Sequence, residues 1–190
     1  MENLTDNSWL HIIENPVPFS KEEFDILWKN KPSKQHTIKM YGKDVKVPRT
    51  QVTYLHSYQF SGNILEPEDI VPNIVQRCLD WTKQHNRKYN WNGALVNFYK
   101  DGNQYIGRHS DDTRDLVDNS PIYSFSFGAE RIFRIRRKYK NESKANRDII
   151  TKDGILIIMG GDFQKELTHE VPKTNKSVGP RINITIRAFK

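Results

Sequence analysis

The stretch RINITIR, residues 181–187, alternates strictly between apolar and polar side chains. Successive side chains of an extended chain point to opposite faces. Ile182, Ile184 and Ile186 therefore share one face, and Arg181, Asn183, Thr185 and Arg187 share the other. A solvated edge strand has this pattern. So does a strand with one face on an apolar layer and the other lining a polar site inside a sandwich. In the second case two buried arginines need an anionic partner, because an unpaired buried charge is costly. A guanidinium fork matches a carboxylate in bidentate geometry, so a dicarboxylate ligand would satisfy both.

Working outward, short strands dominate the C-terminal half: GALVNFYK, IYSFSFG, RIFRIRRK, GILIIMGG, THEVP and the final RINITIRAF, separated by Gly, Asn, Asp and Pro. The stretch 141–147 is polar and reads as an exposed hairpin tip. Toward the N-terminus, Ser20 and Glu23 have capping-box spacing before Phe24, Leu27 and Trp28 on one helical face. A second helix is expected from about Glu66 to His85, with Pro72 in its first turns. HTIKMYGKDVKVPRTQVTYL, residues 36–55, reads as strands around a turn at Gly42 and Lys43. Helices followed by six or so strands argue for an α+β protein whose C-terminal half is an antiparallel sandwich or jelly roll.

The 190 residues suit a single domain. Cys78 is the only cysteine, which excludes intrachain disulfides and thiolate metal clusters. A metal would have to rely on His and carboxylate ligands, a set suited to iron(II), manganese or zinc. The net charge of +7 suits a polyanionic partner such as nucleic acid. No basic-then-apolar leader opens the chain, and no apolar run nears the roughly 20 residues that span a bilayer. A soluble, intracellular monomer, in nucleus or cytoplasm and without membrane contact, is the expectation.

Within this basic chain, YIGRHSDDTRDL, residues 105–116, gathers acids around a histidine. His109 and Asp111 are two apart, so in an extended segment both reach one ion. His169, opening THEVP, is the best third ligand, although a surface-strand histidine fits the same pattern. Two His and one carboxylate on one side of a metal form the facial triad, which leaves positions open for substrate and dioxygen. RIFRIRRKYK, residues 131–140, has six basic residues in ten. Arg134 and Arg136 face one way and Ile135 the other, which suits phosphate-backbone contact or a solvated strand face.

Taken together, NFYKDGNQYIGRHSDD, SFSFGAERIF, ILIIMGGDFQKELTHEVP and GPRINITIR resemble the AlkB family of iron(II)- and 2-oxoglutarate-dependent dioxygenases. The resemblance runs in order from about Met40 to Phe189 and is closest to the duplex-acting DNA-repair branch. It implies a double-stranded β-helix (jelly roll) over about 91–190, and N-terminal helices with a nucleotide-recognition hairpin lid over about 1–90. It implies His109, Asp111 and His169 as iron ligands and Arg181 as the clamp on the distal carboxylate of 2-oxoglutarate. Asn97 and Tyr99 would hydrogen-bond the cosubstrate, and Asn183, Thr185 and Arg187 would complete its pocket.

Asp112 would favour a cationic methylated base. In the lid, Tyr41 beside Gly42 and Lys43 would enter the base stack, and Tyr54, with His56 nearby, would stack on the flipped base. The implied activity is oxidative demethylation of 1-methyladenine and 3-methylcytosine in DNA, with action on RNA or on protein side chains as the alternative. A binding module without catalysis is disfavoured, because the whole candidate set is present.

Overall fold

The alternating strand lies at the centre of the molecule's main sheet. The computed structural model describes residues 1–40, 42–139 and 145–190. Strand β16 (Arg181–Arg187) is hydrogen-bonded between β11 (Ile122–Gly128) and β9 (Gly93–Tyr99), antiparallel to both. Each of its residues is buried, so the edge-strand alternative is excluded. Beyond β11 the sheet continues through β14 (Leu156–Gly161), β2 (Ser8–Ile13) and β1 (Glu2–Asn3). Beyond β9 come β5 (Thr50–Tyr54) and β8 (Pro67–Glu68).

A second sheet, in the order β10 (Ile106–His109), β15 (Leu167–Val171), β12 (Arg131–Arg137) and β13 (Arg147–Thr151), faces the first. Between the sheets, Ile122, Ile157 and Met159 of the main sheet pack on Phe133, Ile135, Leu167 and Val171 of the smaller one. This is the jelly-roll sandwich. On the opposite face of the main sheet, Ile182, Ile184, Ile186, Val96, Phe98 and Phe125 meet Ile74, Val75, Cys78 and Leu79 of α2 (Asn73–His85) and Leu27 of α1 (Lys21–Lys29). The two periodicities of β16 thus serve two layers, isoleucines to the helices and polar residues to the sandwich interior.

Helix α1 starts at the expected capping box: the Ser20 hydroxyl accepts from the Glu23 N–H and the Glu23 carboxylate from the Ser20 N–H. Helix α2 starts later than expected. Pro67 and Glu68 join β5 as a parallel strand, Pro72 is the extended N-cap, and Ile70 is 85% exposed. The apolar residues at 70 and 71 mimicked a helical stripe, but the tight sequence spacing from β8 leaves the helix to begin only after the proline.

The N-terminal half is not a layer apart from the jelly roll, since β2 and β5 are integral strands of the main sheet. Two small hairpins stand on it. One joins β3 (Thr37–Met40) to β4 (Lys43–Lys46), with Gly42 at φ +76° in the turn and Lys43 already in the strand; Tyr41 lies outside the described residues. The other, which the sequence reading missed, joins β6 (Tyr58–Phe60) to β7 (Asn63–Leu65). Ser61 and Gly62 both have positive φ there, as a tight hairpin turn matched to strand twist requires.

Of the exposed tip expected at 141–147, residues 141–144 lie outside the described residues, Ala145 is buried, and Arg147 opens β13. Among the described residues no helix is long and apolar enough to cross a membrane.

Candidate active site

Strands β10 and β15 pair so that His109 and His169 are direct cross-strand partners, next to a register shift in β10. Their rings lie 4.3 Å apart, centroid to centroid. Just past β10 the chain turns back and carries the Asp111 carboxylate to both imidazoles. Its Oδ1 is 3.5 Å from His109 Nε2 and 3.7 Å from His169 Nε2. The three side chains offer ligand atoms within 4.8 Å of one another.

Asp111 Oδ2 faces away from the histidines and accepts from Arg187 Nη2 at 2.6 Å and Nε at 3.2 Å. One carboxylate oxygen is thus engaged by a guanidinium, while the other is aimed at the histidine pair. His109 Nδ1 sits 2.8 Å from the Gly107 carbonyl. With Nδ1 as the donor of that bond, Nε2 presents its lone pair to the site, the second-sphere arrangement of metal-binding histidines.

The protonation states match. Burial pulls the His169 pKa down to about 3, with His109 and Arg187 adding to the effect against Asp111. Burial alone would raise Asp111, but Arg187, with His109 and His169, holds it well below the usual carboxylate range. Neutral imidazole and ionised carboxylate are the forms that bind a divalent ion. A set of two histidines and one carboxylate, with no thiolate, fits non-haem iron(II).

The polar face of β16 continues from this cluster into the sandwich. Arg181 is only 2% exposed. Its Nη2 donates to Ser126 Oγ at 2.8 Å, and its guanidinium lies 5.1 Å from the Tyr99 ring centroid. Its Nε and Nη1 are buried with no hydrogen-bond partner among the described residues. Burial lowers its pKa, with Tyr99 acting the other way, yet a guanidinium stays charged in a protein. A buried cation with idle donors fits an incoming carboxylate, so this cavity suits an anionic cosubstrate such as 2-oxoglutarate.

Around it, Asn183 Nδ2 donates to Ser124 Oγ and to the Phe125 carbonyl, and Thr185 Oγ donates to Asn183 Oδ1. Asn97, opposite Asn183 in register, accepts on Oδ1 from Arg49 Nε at 2.8 Å and Gln51 Nε2 at 2.9 Å. The metal cluster, Arg181, Asn183, Thr185, Arg187, Asn97 and Tyr99 line one cavity.

That cavity also contains two side chains missed from the sequence, Arg49 and Tyr58. Arg49 precedes β5, and the ring of Tyr58 lies 5.1 Å from the Arg187 guanidinium carbon. Only the short aromatic alternation Tyr58-Gln59-Phe60 hinted at a strand there. Tyr58 also borders a second, outer cavity of about 320 Å³ with His56, Asp112, Asp115 and Phe189. His56 and Phe189 stack there at 4.0 Å with nearly parallel planes. Asp112 is exposed, and both its oxygens accept from Arg114.

One expectation needs correction and two others gain detail. Tyr54 does not reach either cavity: it pairs with Ala94 and packs with Val52 in the helix-side core, where burial, with Glu68, pushes its hydroxyl up to about 12. The alternation of β5 sends Gln51 to the polar side and Tyr54 to the other. Arg134 and Arg136 do share a face, on the outside of the smaller sheet, opposite buried Phe133 and Ile135. They are not idle cations, however. Asp148 pairs with both, and Glu170 also pairs with Arg134. Lys43 and Gly42 line neither cavity.

Residues 7–187 match the family model described as the 2OG-Fe(II) oxygenase superfamily. The chain is 33% identical over 201 residues to the DNA oxidative demethylase ALKBH2 of Homo sapiens, covering 95% of this chain and 76% of that protein. It is 31% identical over 158 residues to the alpha-ketoglutarate-dependent dioxygenase alkB homolog 3 of Mus musculus, covering 76% of this chain but 54% of that protein. The solved structure of OsALKBH1 superposes with a TM-score of 0.61 at 18% identity, over 94% of this chain and 97% of that one, a likeness of fold.

Proposed function

The chain belongs to the 2OG-Fe(II) oxygenase superfamily and, within it, to the AlkB family of iron(II)- and 2-oxoglutarate-dependent dioxygenases; from that premise we propose that it removes methyl groups from ring nitrogens of DNA bases. The observation that carries this reading is the buried, half-unpartnered Arg181 in one cavity with His109, Asp111 and His169. The relatives named as DNA oxidative demethylases supply the substrate class.

In this reading His109, Asp111 and His169 hold the iron from one side, and Arg187 keeps the Asp111 carboxylate turned with one oxygen toward it. Arg181 receives the distal carboxylate of 2-oxoglutarate, with Ser126 and the Tyr99 ring fixing the guanidinium plane. When bound, iron(II) and 2-oxoglutarate would let dioxygen act as the oxidant: one oxygen atom ends in succinate, formed with loss of carbon dioxide, and the other hydroxylates an N-methyl carbon, which then leaves as formaldehyde.

The base enters through the outer cavity, between Tyr58 and the acidic rim of Asp112 and Asp115. Alkylation at a Watson–Crick ring nitrogen leaves the base cationic. Such a base competes with Arg114 for the Asp112 carboxylate, whereas its neutral parent does not. The chain's +7 charge supplies the sequence-independent attraction to phosphates.

Succinate release is the test, measured with methylated DNA, methylated RNA and unmethylated DNA in parallel. Methylated DNA should stimulate it most. Equal succinate with all three would leave the dioxygenase standing and remove the base-repair assignment; stimulation by RNA alone would move the substrate to RNA.

A further inference from the structure

We propose that Gln164 is a positioning residue that presets the ligand loop before an ion arrives, an inference that rests on His109, Asp111 and His169 being the metal ligands. Asp111 lies beyond the end of β10, so no strand ladder holds its backbone. The Asp111 N–H donates instead to Gln164 Oε1 at 2.9 Å, and the neighbouring Ser110 hydroxyl donates to the Leu167 carbonyl at 2.7 Å. Both acceptors belong to the segment that runs directly into His169. The clasp therefore ties the loop carrying Asp111, just past His109, to the chain carrying His169.

Gln164 itself sits on a fixed base. It lies in the single-turn helix α3 (Phe163–Glu166) between β14 and β15. Its carbonyl accepts from Lys138 Nζ at 2.7 Å, and its side-chain Nε2 is 3.8 Å from Met159 Sδ. The Asp162 N–H donates to the Asn7 carbonyl at 2.9 Å, and the Glu166 carboxylate accepts from the hydroxyls of Thr5 and Ser8. The N-terminal segment thus anchors α3, and α3 anchors the metal loop.

Behind the loop lies open space, a cavity of about 250 Å³ bordered by Thr113, Leu116, Phe163 and Gln164. Without the Gln164 bond the loop can relax toward it. Arg187 restrains the Asp111 carboxylate from one side, and Gln164 restrains its backbone from the other. Such outer partners typically contribute about 10–100-fold to metal affinity by holding ligands in place.

The test is titration of the full-length apoprotein with cobalt(II) alone, followed by the visible absorption of the bound ion, alongside thermal melting. Gln164→Leu and the one-methylene-shorter Gln164→Asn should bind cobalt(II) about 10–100-fold more weakly than wild type. Gln164→Glu, whose carboxylate can still accept from the Asp111 N–H, should recover most of that loss. A purely structural role would lower the melting temperature but leave the affinity of the folded protein unchanged. The proposal is overturned if either Leu or Asn variant, folded by circular dichroism, binds cobalt(II) as wild type does while His109→Ala does not. If His109→Ala also binds normally, the ligand assignment itself fails.

Discussion

Arg187 and Asp111 form a buried ion pair at the boundary between the metal cluster and the sandwich interior, with Nη2 2.6 Å from Oδ2 and both side chains almost fully enclosed. The pair joins the last strand of the main sheet to the loop that leaves the smaller one. It binds the sandwich across its two sheets and also sets which carboxylate oxygen meets the histidines. Removing one partner of such a pair leaves the other charge buried alone. Arg187→Gln should destabilise the apoprotein by about 3–5 kcal/mol in urea unfolding. A loss below about 1 kcal/mol would mean that water already screens the pair.

Arg181 should behave in the opposite sense. Its Nε and Nη1 have no hydrogen-bond partner among the described residues, so its charge is held for a ligand at the expense of stability. Arg181→Met should leave the apoprotein at least as stable as wild type while weakening 2-oxoglutarate binding by roughly 10–100-fold, the loss expected for hydrogen bonds to a charged group. Calorimetric titration and thermal melting on the same sample check both halves. An unstable variant with normal 2-oxoglutarate affinity would reverse the argument.

At the mouth of the site, Asp112 is shared between Arg114 and the incoming base. Arg114→Gln should tighten binding of cationic methylated bases by no more than a few-fold, because an exposed ion pair is screened by water and contributes little. Neutral alkylated bases should gain nothing. Asp112→Asn should erase the preference for cationic bases. Competition binding with matched oligonucleotides reads both, and an unchanged preference in Asp112→Asn would remove this carboxylate from base selection.

Gly160 tests the fold without touching chemistry. A Cβ there would lie 2.0 Å from Trp9 Cζ2 across the β2–β14 pairing. Gly160→Ala should cost about 1–3 kcal/mol of stability through overpacking, with cobalt(II) affinity of the folded protein unchanged. A neutral substitution would show that Trp9 can swing aside.

Much of the site was legible because β-strand alternation is a local signal. The polar face of 181–187 and the i, i+2 spacing of His109 and Asp111 point to a site before any fold is known, and the structure brings both to one cavity. What local patterns could not carry was non-local pairing. Nothing near Tyr54 shows that β5 pairs with β9 in the register that turns this ring to the helices and Gln51 to the site. Likewise, Asp148 and Glu170 neutralise Arg134 and Arg136 only because β13 and β15 flank β12. Arg49 and Tyr58 reach the cavity from segments with weak strand patterns, and Gln164 reaches the Asp111 backbone from a four-residue helix that periodicity cannot detect.

The most direct measurement incubates the protein with iron(II), ascorbate, 2-oxoglutarate and oligonucleotides containing 1-methyladenine or 3-methylcytosine, and follows the mass of the DNA. The account requires loss of the methyl group that depends on 2-oxoglutarate and disappears in His169→Ala. Retention of the methyl group by iron-loaded wild-type protein, with no succinate formed, would contradict it.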